Sequence, residues 1–280
     1  MMIPQVDFFG TKISRFLLGD NPVHGHSYIS EIVSREDMLT YYTEESFIAD
    51  MALARSLGIN TYMLLANEFT LRALLHDPCV DYKPNIIFQS YPPMDFLVNV
   101  RQMAEYHPIG IYHQGTTTDG LCEEGKHQVL RNRIKIIHDA GIKAGIGTHV
   151  PETVLRAEDE DWGVDFYVTC LHNTRIRGDA KESSFITGKP KHLKLFMEDR
   201  QAMFEVIRAV QKPCVVFKIF AGGQIFYHKT GEELKQAAQA ALAEAYANIK
   251  PMDVCCLGCF QRDKDQITEN ARLVRNILSD

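Results

Sequence analysis

Eight short runs of apolar and β-branched residues recur along the chain, and nearly every one is followed by a longer amphipathic segment. The runs lie at 15–19, 59–65, 85–91, 109–113, 142–147, 164–170, 214–220 and 254–260. They are continuously apolar rather than alternating, which suits parallel strands covered on both faces. Helical periodicity fills the stretches between them at 46–58, 94–106, 127–141, 152–163, 199–211, 232–249 and 264–278. Gly58 and Gly141 stand just past the last apolar turn of two of these segments, where a left-handed C-cap belongs. Only the second connection, around 69–77, is weakly periodic. Eight strand-then-helix units in 280 residues predict one (β/α)8 TIM barrel, a single domain over 1–280, rather than a doubly wound open sheet.

Two stretches depart from the alternation. Residues 6–16 (VDFFGTKISRF) read as a hairpin turning at Gly10 that closes the N-terminal mouth, the bottom, of the barrel. After the sixth run, 173–198 is long, polar and glycine-punctuated, and connections of that length are usually lids or binding loops. Whether it covers a ligand or a neighbouring subunit of a homo-oligomer is open at this level.

A formal charge of −6 removes the basic excess expected of a nucleic-acid-binding protein and points to a small-molecule substrate. No segment reaches about 18 consecutive apolar residues and the N-terminus has no signal-peptide pattern, so neither membrane partner nor export is expected, and a cytoplasmic location is. The seven cysteines read as free thiols. The C-x-x-C at Cys256–Cys259 lacks the second pair of a zinc ribbon and reads as a buried strand.

In barrel enzymes the reactive groups sit at the C-terminal ends of the strands. The residues following the eight runs are rich in histidine: Asp20, Asn21, His24 and His26 after the first, Asn67 and Glu68 after the second, Gln89 at the end of the third. His113 and Gln114 follow the fourth, His149 the fifth, His172 and Asn173 the sixth, Lys218 the seventh, and Gln261 and Arg262 the eighth. Five of the eleven histidines therefore fall at strand ends. Neutral imidazoles converging with a carboxylate are donors that zinc, manganese, iron or nickel accept, so His24, His26, His149 and His172 are expected as ligands of a divalent metal. That order, H-x-H after the first run and single histidines after the fifth and sixth, is similar to the metal ligands of the amidohydrolase barrels, although no aspartate ends the eighth run.

A second resemblance spans more of the chain. The leading TKISRFLLG, the LGIN before the second run, KPCVVFKIFAGG and the closing GCFQRDKDQITENARL resemble the corresponding stretches of the aldo/keto reductases. The resemblance implies a barrel scaffold and NADPH bound through Gln266, Glu269 and Asn270. The family's catalytic tetrad does not carry over: its aspartate, tyrosine and lysine would fall at Met63, Glu68 and Gln89, and only its histidine finds a counterpart, His113. Methionine cannot ionise and glutamine cannot tune a phenol, so the usual hydride transfer is not expected.

Lys218 and the glycines after it, Gly222 and Gly223, raise a third possibility. Loops after the seventh and eighth strands often bind anions, and a lysine inside a barrel can form a Schiff base, as in lysine-dependent aldolases. The leading expectation is a metal-dependent barrel enzyme acting on a small polar, sugar-like substrate by hydrolysis, elimination or isomerisation. His113 and Asp20 serve there as acid or base and Lys218 steadies developing negative charge, while Glu68, Gln89, Asn173, Gly222 and Gly223 contact substrate. The alternatives are an NADPH oxidoreductase, a lysine-dependent lyase and a non-catalytic barrel scaffold.

Overall fold

A computed structural model describes residues 2–79, 83–177 and 193–279. The chain opens with an antiparallel hairpin, β1 (Gln5–Phe8) and β2 (Thr11–Ser14). Phe9 and Gly10 both have positive φ, the geometry of a two-residue type I′ turn, whose twist matches that of the paired strands. Phe8 and Ile13 of the hairpin join the barrel's interior cluster, and the Phe8 ring meets Phe166 edge-on at 5.3 Å between centroids. The hairpin thus supplies the floor.

All eight expected strands form, in parallel, and close on themselves. They are β3 (Phe16–Gly19), β4 (Thr61–Leu65), β5 (Asn85–Gln89), β6 (Gly110–His113), β7 (Ala144–Thr148), β8 (Phe166–Cys170), β9 (Cys214–Phe217) and β10 (Val254–Gly258). Closure is made by β10 pairing with β3, Cys256 opposite Leu17. Successive residues of a strand face opposite sides. Leu17, Met63, Ile87, Tyr112, Val168 and Val215 point inward and form the interior cluster, while Phe16, Tyr62, Phe88, Ile111, Tyr167 and Val216 pack outward under the helices. Gly145 makes room inside: a β-carbon there would lie 2.6 Å from the Phe166 ring.

Among the described residues the helical layer comprises α1 (Arg35–Tyr41), α2 (Glu44–Ser56), α3 (Glu68–His76), α4 (Phe96–Ala104), α5 (Gly115–Glu123), α6 (His127–Asp139), α7 (Pro151–Asp159), α8 (Asp199–Ala209), α9 (Gly231–Asn248) and α10 (Gln266–Ser279). α6 buries Leu130, Ile134 and Ile137, and α10 buries Ile267, Ala271 and Val274, the spacing of a single apolar stripe. The weakly periodic second connection is the helix α3. Two helices, α1 and α5, lack a clear signal in sequence. α1 is held by a capping box between Ser34 and Asp37. α5 is started by the Gln114 side chain, whose Oε1 accepts from the Thr117 amide at 2.8 Å.

Among the described residues no helix is long and apolar enough to cross a membrane. The expected long loop after β8 lies mostly outside the described residues. Its two ends, 173–177 and 193–198, flank the barrel mouth.

Candidate active site at the C-terminal mouth

A cleft opens where the strands end. Asp20 after β3, Gln89 at the end of β5, Lys218 after β9 and Gly258 at the end of β10 line one part of it, and His149 after β7 lines an adjoining part. Asn21, His26, Tyr28, Gln89, Tyr112, Phe217 and Lys218 border both.

Its central feature is a chain of three ionisable groups. Asp119, fully buried on α5, receives the His149 ring at Nδ1 (2.7 Å), the Thr148 hydroxyl (2.5 Å) and the His149 amide (3.3 Å). A carboxylate facing Nδ1 assigns the imidazole proton to that nitrogen, so Nε2 is an acceptor. The Lys218 ammonium donates to Nε2 at 3.4 Å and also lies 4.7 Å from the centroid of the Tyr28 ring. Burial alone would pull Lys218 down, but Cys170, Tyr28 and Asp119 around it outweigh that, and its pKa is held above the ordinary lysine value. At neutral pH the group is a cation.

Local backbone places these groups. Gly147 lies inside the wall, where a β-carbon would come 3.1 Å from the Tyr112 ring and 3.2 Å from the Gly115 amide. That close approach lets α5 start against β7 and sets Asp119 behind Thr148 and His149. Lys218 adopts φ +60°, a left-handed conformation costing roughly 1–2 kcal/mol for a residue with a β-carbon. The strand's alternation breaks there, so Phe217 and Lys218 both border the cleft. Neighbouring bonds hold the turn: the Ala221 amide donates to the Lys218 carbonyl (2.8 Å), and the buried Arg200 donates to the Ile219 carbonyl (2.6 Å). Gly222, also left-handed, packs against Tyr28, where a β-carbon would lie 2.6 Å from that side chain. Gln224 then ties the turn to the first loop by donating to the Tyr28 carbonyl at 3.0 Å.

The other expected site residues fall in several places. His113 follows the inward Tyr112 and so faces outward. Its Nδ1 meets Thr118 at 2.8 Å and its Nε2 accepts from Arg133 at 2.6 Å; burial and that guanidinium push its pKa down to about 3. His24 spans two loops, with Nε2 on Asp20 (3.0 Å) and Nδ1 near Asn67 (3.3 Å). Asp20 borders the cleft, but its Oδ2 also accepts from the Leu65 amide at 2.6 Å. His172 donates from Nδ1 to the Phe196 carbonyl at 2.9 Å, and burial lowers its pKa to about 4. The four expected metal ligands are therefore dispersed: His26 and His149 border the cleft, whereas His24 binds Asp20 and Asn67, and His172 is held by the Phe196 carbonyl through Nδ1 with its Nε2 buried and unpartnered among the described residues. Among the described residues no three His, Cys, Asp or Glu side chains are grouped to hold a metal ion, and this donor set does not fit one.

Glu68 is exposed on the first turn of α3, beside Arg72. Asn173 caps its own turn by accepting from the amides of Arg175 and Ile176. Gln89, Gly222 and Gly223 do line the cleft. Of the residues expected to hold NADPH, Gln266 reaches the cleft while accepting from the Phe260 amide at 3.1 Å. Glu269 is exposed and paired with Lys264, and Asn270 is buried against Cys259. Asp119 and Tyr28 are the site residues missed in sequence. The first lies in GTTTDGLCE, whose glycines and threonines are weak helix formers.

No protein-family model matches the sequence, and no curated protein is similar to it. Solved structures are. An aldo/keto reductase from Brucella melitensis aligns at 11% identity over 99% of this chain and 98% of its own, with a TM-score of 0.55. A truncated 3-deoxy-D-arabino-heptulosonate 7-phosphate synthase from Thermotoga maritima aligns at 10% over 99% and 92%, TM-score 0.55. The dihydropteroate synthase of Xanthomonas albilineans aligns at 11% over 99% and 98%, TM-score 0.54. At these identities the likeness is one of fold: it establishes the TIM barrel and does not single out the aldo/keto reductases.

Proposed function

We propose that the chain is an enzyme that moves a proton next to a carbonyl group of a small substrate, by isomerisation or elimination, with Lys218, His149 and Asp119 as its machinery. The observation that carries this reading is the Asp119–His149–Lys218 chain ending on a left-handed residue at a barrel mouth. A buried base, oriented by a carboxylate and standing beside a fixed cation, is the arrangement such chemistry requires.

The substrate's carbonyl oxygen binds the Lys218 ammonium, which has three N–H groups and can turn one from His149 to the oxygen. The freed Nε2 takes the proton from the adjacent carbon, and the electron pair of that C–H bond passes into the enolate, whose oxygen stays on Lys218. Asp119 steadies the imidazolium. Return of the proton to a neighbouring position gives an isomer; loss of a leaving group from the next carbon gives elimination. A well-placed general base contributes about 10²–10⁴-fold and a fixed donor to the oxyanion about 10²–10³-fold.

The expected metal has no part in this scheme, because its donors are dispersed. A Schiff base on Lys218 would first require the ammonium to lose its proton, which its raised pKa opposes. The test is solvent exchange: carbonyl compounds such as pyruvate, 2-oxobutyrate, 4-methyl-2-oxopentanoate and dihydroxyacetone are incubated with the protein in D₂O and followed by NMR. Deuterium should enter next to the carbonyl of at least one compound, at a rate at least a hundredfold lower with Lys218→Met or His149→Gln. Exchange that is equally fast in those variants, or none with any compound, overturns the proposal.

A further inference from the structure

We infer that the substrate carries an apolar group of about the size of a phenyl ring, bound beside the carbonyl site in a compartment that the first loop and the turn after β9 build together; the inference rests on the carbonyl reading above. The cleft encloses about 210 Å³. Apolar side chains line it outside the part shared with His149, among them Ile29, Val33, Met38, Phe220, Phe226 and Phe260. An apolar cavity of about 150 Å³ already admits benzene and stays dry when empty. A two- or three-carbon polar molecule would fill only the polar end and leave these six side chains facing water. This differs from the sugar-like substrate expected from sequence, since a sugar would set hydroxyls against side chains that cannot hydrogen-bond them.

The polar end fixes which way round the ligand lies. Tyr112 donates its hydroxyl to Oε1 of Gln89 at 2.7 Å, which orients the amide. Its Nε2 is buried and has no hydrogen-bond partner among the described residues. A buried donor without an acceptor costs free energy until a ligand supplies one. Gln89 and Lys218 border the same cleft, so the oxygen-bearing end of the ligand lies between them and the apolar group extends toward Phe226 and Phe260. Both compartments are assembled around Tyr28, which packs on Gly222 and beside the Lys218 ammonium.

Calorimetric titration of the full chain with phenylpyruvate and with pyruvate, which share a 2-oxo acid head, tests the inference. Phenylpyruvate should bind at least tenfold more tightly. Phe226 is half-buried on a surface turn, and Phe226→Ala should weaken phenylpyruvate about tenfold while leaving pyruvate within twofold. Equal affinity for the two ligands, tighter pyruvate, or a Phe226→Ala variant that binds phenylpyruvate as the parent does overturns the apolar compartment and leaves the carbonyl site standing. If neither ligand binds, the inference is overturned as well, and the exchange experiment above decides the carbonyl reading separately. The comparison of the two ligands uses the unaltered protein and does not depend on the variant folding.

Discussion

Replacing Asp119 with asparagine keeps the size of a fully buried side chain and removes its charge. Three donors converge on the carboxylate, the Thr148 hydroxyl at 2.5 Å, the His149 ring at 2.7 Å and, more weakly, the His149 amide at 3.3 Å. Asparagine offers one acceptor oxygen and a second group that only donates. If the oxygen stays with Thr148, His149 Nδ1 must accept, and the ring proton moves to Nε2, where it faces the Lys218 ammonium. Hydrogen bonds to charged groups are worth about 1.5–3 kcal/mol each, so losing one should cost roughly 2–3 kcal/mol. At about 2–4 °C per kcal/mol for a chain of this order of size, the melting temperature should fall by about 5–10 °C. The catalytic consequence is larger, because the equivalent tautomer change in a serine protease costs about 10⁴-fold. Long-range ¹H–¹⁵N correlation reads the tautomer directly, with His149→Gln identifying the signal. Parent protein should show the proton on Nδ1 and Asp119→Asn should show it on Nε2. A variant that keeps the proton on Nδ1 and melts within 1 °C of the parent would refute the reasoning.

Other outcomes follow from the same structure. His113 and His172 have folded pKa values near 3 and 4, below the ordinary 6.5, so the unfolded chain binds protons that the folded chain refuses. The stability they contribute is complete above about pH 6.5 and is lost toward pH 4 at about 1.4 kcal/mol per pH unit for each histidine; melting followed across that range should fall steeply, and less steeply in His172→Gln. Lys218 is shifted the other way, so its contribution is complete below the ordinary lysine value and disappears as pH rises through the raised one; a ¹³Cε titration should find it still charged where surface lysines have lost their protons. Borohydride added with pyruvate should leave the protein mass unchanged, and a reduced adduct on Lys218 would assign the amine a covalent role. Gly145→Ala forces a methyl to within 2.6 Å of the Phe166 ring and should lower stability by about 1–3 kcal/mol in denaturant unfolding.

The scaffold was legible because each barrel strand is apolar on both faces and each helix carries one apolar stripe. Those patterns depend only on which layer an element contacts, so all eight strands and the plug hairpin could be placed from residue order. The site was less legible for three separate reasons. Position at a strand end does not fix direction: His113 sits one residue beyond the inward Tyr112 and must face the helices, a parity that the run 109–113 could have shown. Backbone conformation is hidden as well. Lys218 borders the cleft through a left-handed turn that a lysine codon does not announce, although the glycines at 222 and 223 mark the segment as irregular. Asp119 is the deepest miss, since α5 has glycine and threonine where a helix usually has strong formers, and it forms because Gln114 caps it and Gly147 lets it approach β7. Histidine count drew attention to the strand ends but says nothing about convergence: His24 joins two loops through both ring nitrogens, and His172 gives its Nδ1 to the Phe196 carbonyl.

The central claim is that Asp119, His149 and Lys218 act as one unit, and a double-mutant cycle on deuterium exchange tests it most directly. Groups that work together are strongly non-additive, because once one is lost the others have little left to contribute. Asp119→Asn and Lys218→Met should each slow exchange by at least a hundredfold, and the double variant should be within a few-fold of the slower single variant. If the two losses instead multiply, so that the double variant is about 10⁴-fold or more below the parent, the groups act independently and the account is contradicted.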